Sequence, residues 1–129
     1  MHGDQTKRGI GKIALVADDT RLIRDRVVGA FLADGFETIG VENGSEAIEV
    51  ALKTTPHIIV LDLSMPVMNG LEAAFELRRS FPKIPIILST LYAGTLSKKD
   101  ASRAGITAVL PKSTSLLALI DKAHELMGD

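Results

Sequence analysis

Short apolar runs of strand length alternate along this chain with segments whose apolar residues recur at helical spacing. Ile13-Ala14-Leu15-Val16 is the first run and ends at Asp18-Asp19. Ile23, Val27, Ala30 and Phe31 then fall at i, i+4, i+7 and i+8, one face of a helix that Asp34-Gly35 closes. Glu37 to Val41 predicts a half-exposed strand followed by the turn Glu42-Asn43-Gly44. Ser45 is the expected N-cap of a second helix reaching about Lys53. The unbroken run His57-Ile58-Ile59-Val60-Leu61 predicts a strand covered on both faces. Leu71, Ala74, Phe75 and Arg78 mark a third helix, and Ile86 to Ser89 a fourth strand after the turn between Pro82 and Pro85. A short polar helix is expected from Ser97 to Ala104, closed by Gly105, and a brief fifth strand at Ala108-Val109-Leu110. Leu116, Ile120, Ala123 and Met127 mark the closing helix.

Five strands alternating with five helices predict an α/β, doubly wound fold with a parallel sheet and right-handed crossovers. Repeats, low-complexity tracts and interdomain linkers are absent from the pattern. The 129 residues fit one domain. We assign residues 1–9 to a flexible N-terminal tail and 10–129 to the folded domain. Fifteen basic against sixteen acidic residues leave a net charge of −1, so no strong field invites direct nucleic-acid binding or an anionic membrane. With no Cys, disulfides, thiolate nucleophiles and Cys-ligated zinc are excluded. No apolar run approaches the ~20 residues of a membrane span, and the polar start MHGDQTKRG lacks a signal-peptide core. A cytoplasmic location is expected.

Sheets of this kind bind ligands beyond the carboxyl ends of their strands. Strand one ends in Asp18-Asp19, strand three in Asp62, strand four in Thr90 and strand five in Pro111-Lys112. Singly, each has an ordinary role: an N-cap for Asp18 or Asp19, a β-branched strand residue for Thr90, a solvated lysine for Lys112. Jointly they are different. Three crowded carboxylates repel unless cations neutralise them, and oxygen ligands with open positions suit Mg²⁺. A lysine ammonium and a threonine hydroxyl add contacts for phosphoryl oxygens, and a carboxylate is itself a phosphoryl nucleophile.

In these residues the chain resembles a response-regulator receiver domain of two-component signalling, over about residues 10 to 127. The stretch Asp62-Leu63-Ser64-Met65-Pro66-Val67-Met68-Asn69-Gly70 is similar to the family's phosphoacceptor loop. Val16-Ala17-Asp18-Asp19, Pro85-Ile86-Ile87-Leu88-Ser89-Thr90 and Leu110-Pro111-Lys112 match its other blocks in order. The resemblance implies a flavodoxin-like (βα)₅ sheet of strand order 2-1-3-4-5, as in chemotaxis regulators. It implies that Asp62 accepts phosphate from a histidine kinase or phosphotransfer protein. Mg²⁺ would be bound by Asp19, Asp62 and the Ser64 carbonyl, with Asp18 acting largely through water. Lys112 would contact the phosphoryl group and Thr90 would sense it, moving its loop and the face formed by the fourth helix, fifth strand and fifth helix. Phosphotransfer would be slow and self-catalysed rather than enzymatic turnover. The signal would pass to a downstream protein, a DNA-binding output domain or a phosphorylation-dependent homodimer.

Three positions depart from the family's usual pattern. Val109 stands where an aromatic residue often reports phosphorylation, so an aromatic switch is not expected. Ser113 follows the lysine in place of a cis proline; a trans Lys112–Ser113 bond is expected, with Ser113 or Thr114 capping the last helix. Tyr92, two positions past Thr90, occupies a place that, with Ser64, tunes phosphate lifetime. The residues around Thr90-Leu91-Tyr92 and Lys112-Ser113 lean toward regulators with a helix-turn-helix output domain, whose pattern no segment here shows.

Other signals carry less. Gly9-Ile10-Gly11-Lys12 lacks the spacing of a phosphate loop. His2, His57 and His124 show no metal-ligand spacing. Met65 and Met68 are expected to pack the acceptor loop, and Lys98-Lys99 to form a solvated face or a partner surface. Two other functions use the same residues: a pseudo-receiver that binds partners without phosphorylation, and an aspartate-based phosphatase. The intact acidic set opposes the first. Ser64, where such phosphatases place a second Asp, opposes the other.

Overall fold

In the computed structural model, residues 7–129 are described. The strands are β1 (Ile13–Ala17), β2 (Glu37–Val41), β3 (Ile58–Asp62), β4 (Ile86–Thr90) and β5 (Ala108–Pro111). They alternate with α1 (Arg21–Ala33), α2 (Gly44–Thr54), α3 (Gly70–Ser80), α4 (Lys98–Arg103) and α5 (Leu116–Met127). Every strand pair is parallel and the order is β2-β1-β3-β4-β5. This is the flavodoxin-like arrangement. Side chains alternate across each strand, so β3 sends Ile58 and Val60 to one layer and Ile59 and Leu61 to the other. The first layer packs Phe31, Phe36, Leu119, Ile120 and Ala123 beside α1 and α5. The second packs Ala47, Ala51, Ala73, Leu77 and Ala101 from α2, α3 and α4. Burial on both faces explains why β3 is an unbroken apolar run. Among the described residues, no helix is long and apolar enough to cross a membrane.

Several local expectations are corrected. Asn43, not Ser45, caps α2, its side chain accepting the Glu46 N–H at 2.9 Å while the Glu46 carboxylate accepts the Glu42 N–H. Ser115, not Ser113 or Thr114, caps α5 by accepting the Ala118 N–H at 3.1 Å. Thr114 instead donates its N–H to the Pro111 carbonyl. No cis peptide bond occurs among the described residues, so Lys112–Ser113 is trans. Phe75 shares the spacing of Leu71 and Ala74 but faces outward, 54% exposed, because Ala73, Ala74 and Leu77 fill the inner face.

The first six residues of the expected tail lie outside the described residues, as does His2. Its last residues pack on the domain instead. Gly9 is buried, donates its N–H to the Asp34 carbonyl and accepts from Lys12 N–H, while Arg8 pairs with Asp121. A Cβ on Gly9 would lie 2.1 Å from the Phe36 ring. His57 accepts the Ile13 N–H, and buried His124 meets Asp34 at 2.7 Å and Asp129 at 3.1 Å. Both histidines therefore brace the molecule rather than contribute to the acidic site. Arg78 is another brace: it bonds the Phe81, Ile84 and Gly105 carbonyls, tying α3 to the turns that lead into the last two strands.

Candidate functional site: an acidic cleft at the carboxyl edge of the sheet

β1 and β3 are neighbours, yet their outgoing chains continue to helices on opposite faces of the sheet. That is the switch point at which such sheets open a crevice. Asp18 follows β1 directly and Asp62 is the last residue of β3, so adjacency of the strands sets their carboxylates together. Asp19 completes the cluster. One carboxylate oxygen from each of the three lies within 4.8 Å of the others. The cleft above them, of about 210 Å³, is lined by Asp19, Asp62, Ser64, Thr90, Tyr92 and Lys112 among others.

Each group is held from its own element. Asp18 is buried; its N–H donates to the Val41 carbonyl and its Oδ1 accepts the Thr20 N–H at 2.9 Å. Thr20 occupies the N-cap position of α1 with no side-chain cap bond, so neither aspartate is that helix's cap residue. One turn into α1, Arg24 donates to the Asp18 carbonyl at 2.9 Å. The Ser64 N–H lies beside the Asp62 carboxylate. Lys112 bonds Asp18 Oδ2 and lies 3.6 Å from Asp62 Oδ1, its side chain 12% exposed. It therefore supplies one positive charge to a cluster of three carboxylates.

Burial pushes the Asp62 carboxyl above its ordinary value. The Lys112 ammonium pulls it down, Asp18 and Asp19 push it up, and the Ser64 N–H pulls it down again. Burial together with the two aspartates thus outweighs the lysine at Asp62, and a hard divalent cation fits this all-oxygen donor set. Thr90 is buried and its Oγ1 accepts the Tyr92 N–H at 3.0 Å, while its carbonyl accepts the Lys112 N–H. Tyr92 is half-exposed at the mouth of the cleft.

The structure brings together Asp18, Asp19, Asp62, Ser64, Thr90, Tyr92 and Lys112. Val109 does not line the cleft; it pairs with Leu88 and packs toward the α2–α3–α4 layer. Three contributors were not legible as such. Thr20 and Arg24 act through backbone bonds to Asp18 that no motif marks. Gly70 sits where a Cβ would lie 2.3 Å from the Asp62 carbonyl oxygen. The sequence places it at the end of the loop that resembles the phosphoacceptor loop without giving it a role, and the capping box of Asn69 with Glu72 shows it opening α3.

Comparison with known proteins agrees with this geometry. Residues 14–124 match the response regulator receiver domain family. A response regulator receiver protein of Anaeromyxobacter sp. is 33% identical over 107 residues, covering 83% of this chain and 45% of that protein. A protein-glutamate methylesterase/protein-glutamine glutaminase of Shewanella denitrificans is 40% identical over 102 residues, 76% of this chain and 26% of that enzyme. The chain therefore spans less than half the length of these relatives. The crystal structure of chemotaxis protein CheY4 of Vibrio cholerae superposes with a TM-score of 0.82 at 27% identity, covering 89% of this chain and 98% of that one. The chain belongs to the response regulator receiver domain family and is a receiver domain of two-component signalling.

Proposed function

We propose that this domain relays a signal in the cytoplasm by accepting a phosphoryl group on Asp62. One Asp62 carboxylate oxygen attacks phosphorus as the donor's bond to phosphorus breaks, leaving an acyl phosphate and the released donor. The donor is a phosphohistidine of a kinase or phosphotransfer protein. The observation that carries this reading is the close set of three carboxylates, against which Lys112 is the one paired cation among the described residues. Asp18, Asp19, Asp62 and the Ser64 carbonyl would hold Mg²⁺, which when bound neutralises charge between carboxylate and phosphoryl oxygens. Lys112 supplies the second cation for the phosphoryl group. No second carboxylate stands two residues after Asp62 to act as acid or base, so the acyl phosphate persists and the domain does not turn over as a phosphatase. A downstream protein, an output domain or a second phosphorylated copy would receive the signal.

Thr90 links this event to its loop. Its Oγ1 already holds the Tyr92 N–H, so a shift of the hydroxyl toward a phosphoryl oxygen disturbs Leu91 and Tyr92 directly. Gly94 has no atom within 4 Å of a would-be Cβ, which leaves the loop room to follow. Val109 has no ring to swing and few rotamers. Tyr92 at the cleft mouth shields the acyl phosphate from water and lengthens its life. Amide spectra with and without beryllofluoride and Mg²⁺ test this: changes are expected to centre on residues 90–105 while Val109 keeps its rotamer. A motionless Thr90–Tyr92 loop in a fully occupied complex contradicts it.

A further inference from the structure

An apolar groove runs between α3 and α4, on the layer away from α1 and α5. Its floor is Met68, Leu71, Phe75 and Ala104, and it encloses about 510 Å³. Met68 and Leu71 continue inward to the core, whereas Phe75 stands 54% exposed with no aromatic neighbour among the described contacts. A half-exposed Phe at the centre of an apolar strip costs hydration free energy that a partner would recover. The groove is also preformed, because Arg78 ties α3 to the Gly105 turn that follows α4.

Charge around the floor identifies the occupant. Glu72, Glu76 and Asp100 stand at the rim against Arg103. Glu72 is committed to the Asn69 N–H, and Glu76 has only a 3.9 Å exposed pairing with Arg79, which is weak. Lys98 and Lys99 precede this face and do not line the groove. A second copy docking by the same face would bring together two rims that each carry Glu72, Glu76 and Asp100 against Arg103, so self-association is disfavoured. From the apolar floor and the acidic rim we infer that the α3–α4 groove docks an amphipathic helix of a partner protein, apolar on one face and flanked by Lys or Arg. This is helix-in-groove recognition with complementary charge. It requires no phosphorylation of Asp62 and stands apart from the chemistry of the acidic cleft.

The test uses the full chain and two synthetic amphipathic helical peptides with the same leucine face, one with lysines on its polar face and one with glutamates. The lysine peptide is expected to bind with amide shifts centred on Leu71, Phe75 and Ala104. Binding should weaken at least tenfold in Phe75→Ser, a change at an exposed position that leaves the fold intact, and fall with added salt. A Glu76→Lys/Asp100→Lys double variant should instead prefer the glutamate peptide. Equal binding of both peptides by the wild type, shifts mapping to another face, or binding unaffected by Phe75→Ser would overturn the inference. So would self-association that Phe75→Ser abolishes.

Discussion

An Asp62→Asn protein is expected to take up no phosphoryl group and, without magnesium, to be more stable than the wild type at neutral pH. The amide removes the only oxygen nucleophile at the end of β3, so loss of phosphorylation is complete rather than partial. The stability gain follows from the electrostatics. Burial and the two neighbouring aspartates raise the folded-state pKa of Asp62 above its unfolded value, despite Lys112 and the Ser64 N–H. Between those two values the folded chain holds more protons than the unfolded one. Stability therefore falls as pH rises through that window, and the penalty is fully present above it. Asparagine cannot ionise, so its profile should lack this component. Urea melts at stepped pH in a chelator measure the difference; parallel profiles for the two proteins would show that the carboxylate is not strained. Added Mg²⁺ should stabilise the wild type by mass action and the variant less, which narrows or reverses the gap.

Gly70→Ala is expected to cost about 3 kcal/mol, at the upper end of overpacking effects. The added Cβ would lie 2.3 Å from the Asp62 carbonyl oxygen and 2.8 Å from Leu88 Cδ1. The first is main chain and cannot rotate away. Either α3 withdraws from the sheet or β3 moves at Asp62, the proposed acceptor. Phosphoryl uptake should therefore slow along with the loss of stability, since small displacements of reacting groups carry large rate penalties. Gly29→Ala is the matched control. It is exposed in α1 with nothing within 4 Å, so alanine should stabilise the helix by up to ~1 kcal/mol. Urea midpoints and uptake rates for both variants separate the close approach at Gly70 from a general effect of replacing glycine. A Gly70→Ala protein with wild-type midpoint and rate would contradict the packing described for the acceptor loop.

The layered sheet was legible because apolar runs with two buried faces look unlike amphipathic helices. β3 in particular is short, unbroken and rich in β-branched residues, as a strand buried on both faces is. The acidic site was legible because topology brings strand ends together, so residues distant in sequence converge once their strands are placed. What escaped was decided by local competition. Ser45 and Asn43 both suit an N-cap, and Asn43 prevails by accepting the Glu46 N–H while the Glu46 carboxylate accepts the Glu42 N–H. Phe75 obeys the spacing of an inward residue, but two alanines and Leu77 already fill the space beneath α3. Thr20 serves Asp18 through its main-chain N–H, which leaves no signature in residue type, and Arg24 through a guanidinium bond to the Asp18 carbonyl, which no motif marks. Gly9 belongs to the packed body because Phe36 and Asp34 reach it from the far end of α1, and Arg8 is tied to α5 through Asp121, contacts that a polar sequence does not announce.

The most direct test of the proposed function is the intact mass of the wild-type chain after incubation with acetyl phosphate, with Mg²⁺ and in parallel with a chelator. The expected result is the mass of one added phosphoryl group in the presence of Mg²⁺, little or none with the chelator, and none in Asp62→Asn. An unmodified wild type under saturating donor and Mg²⁺, or equal labelling of Asp62→Asn, would contradict phosphorylation at Asp62.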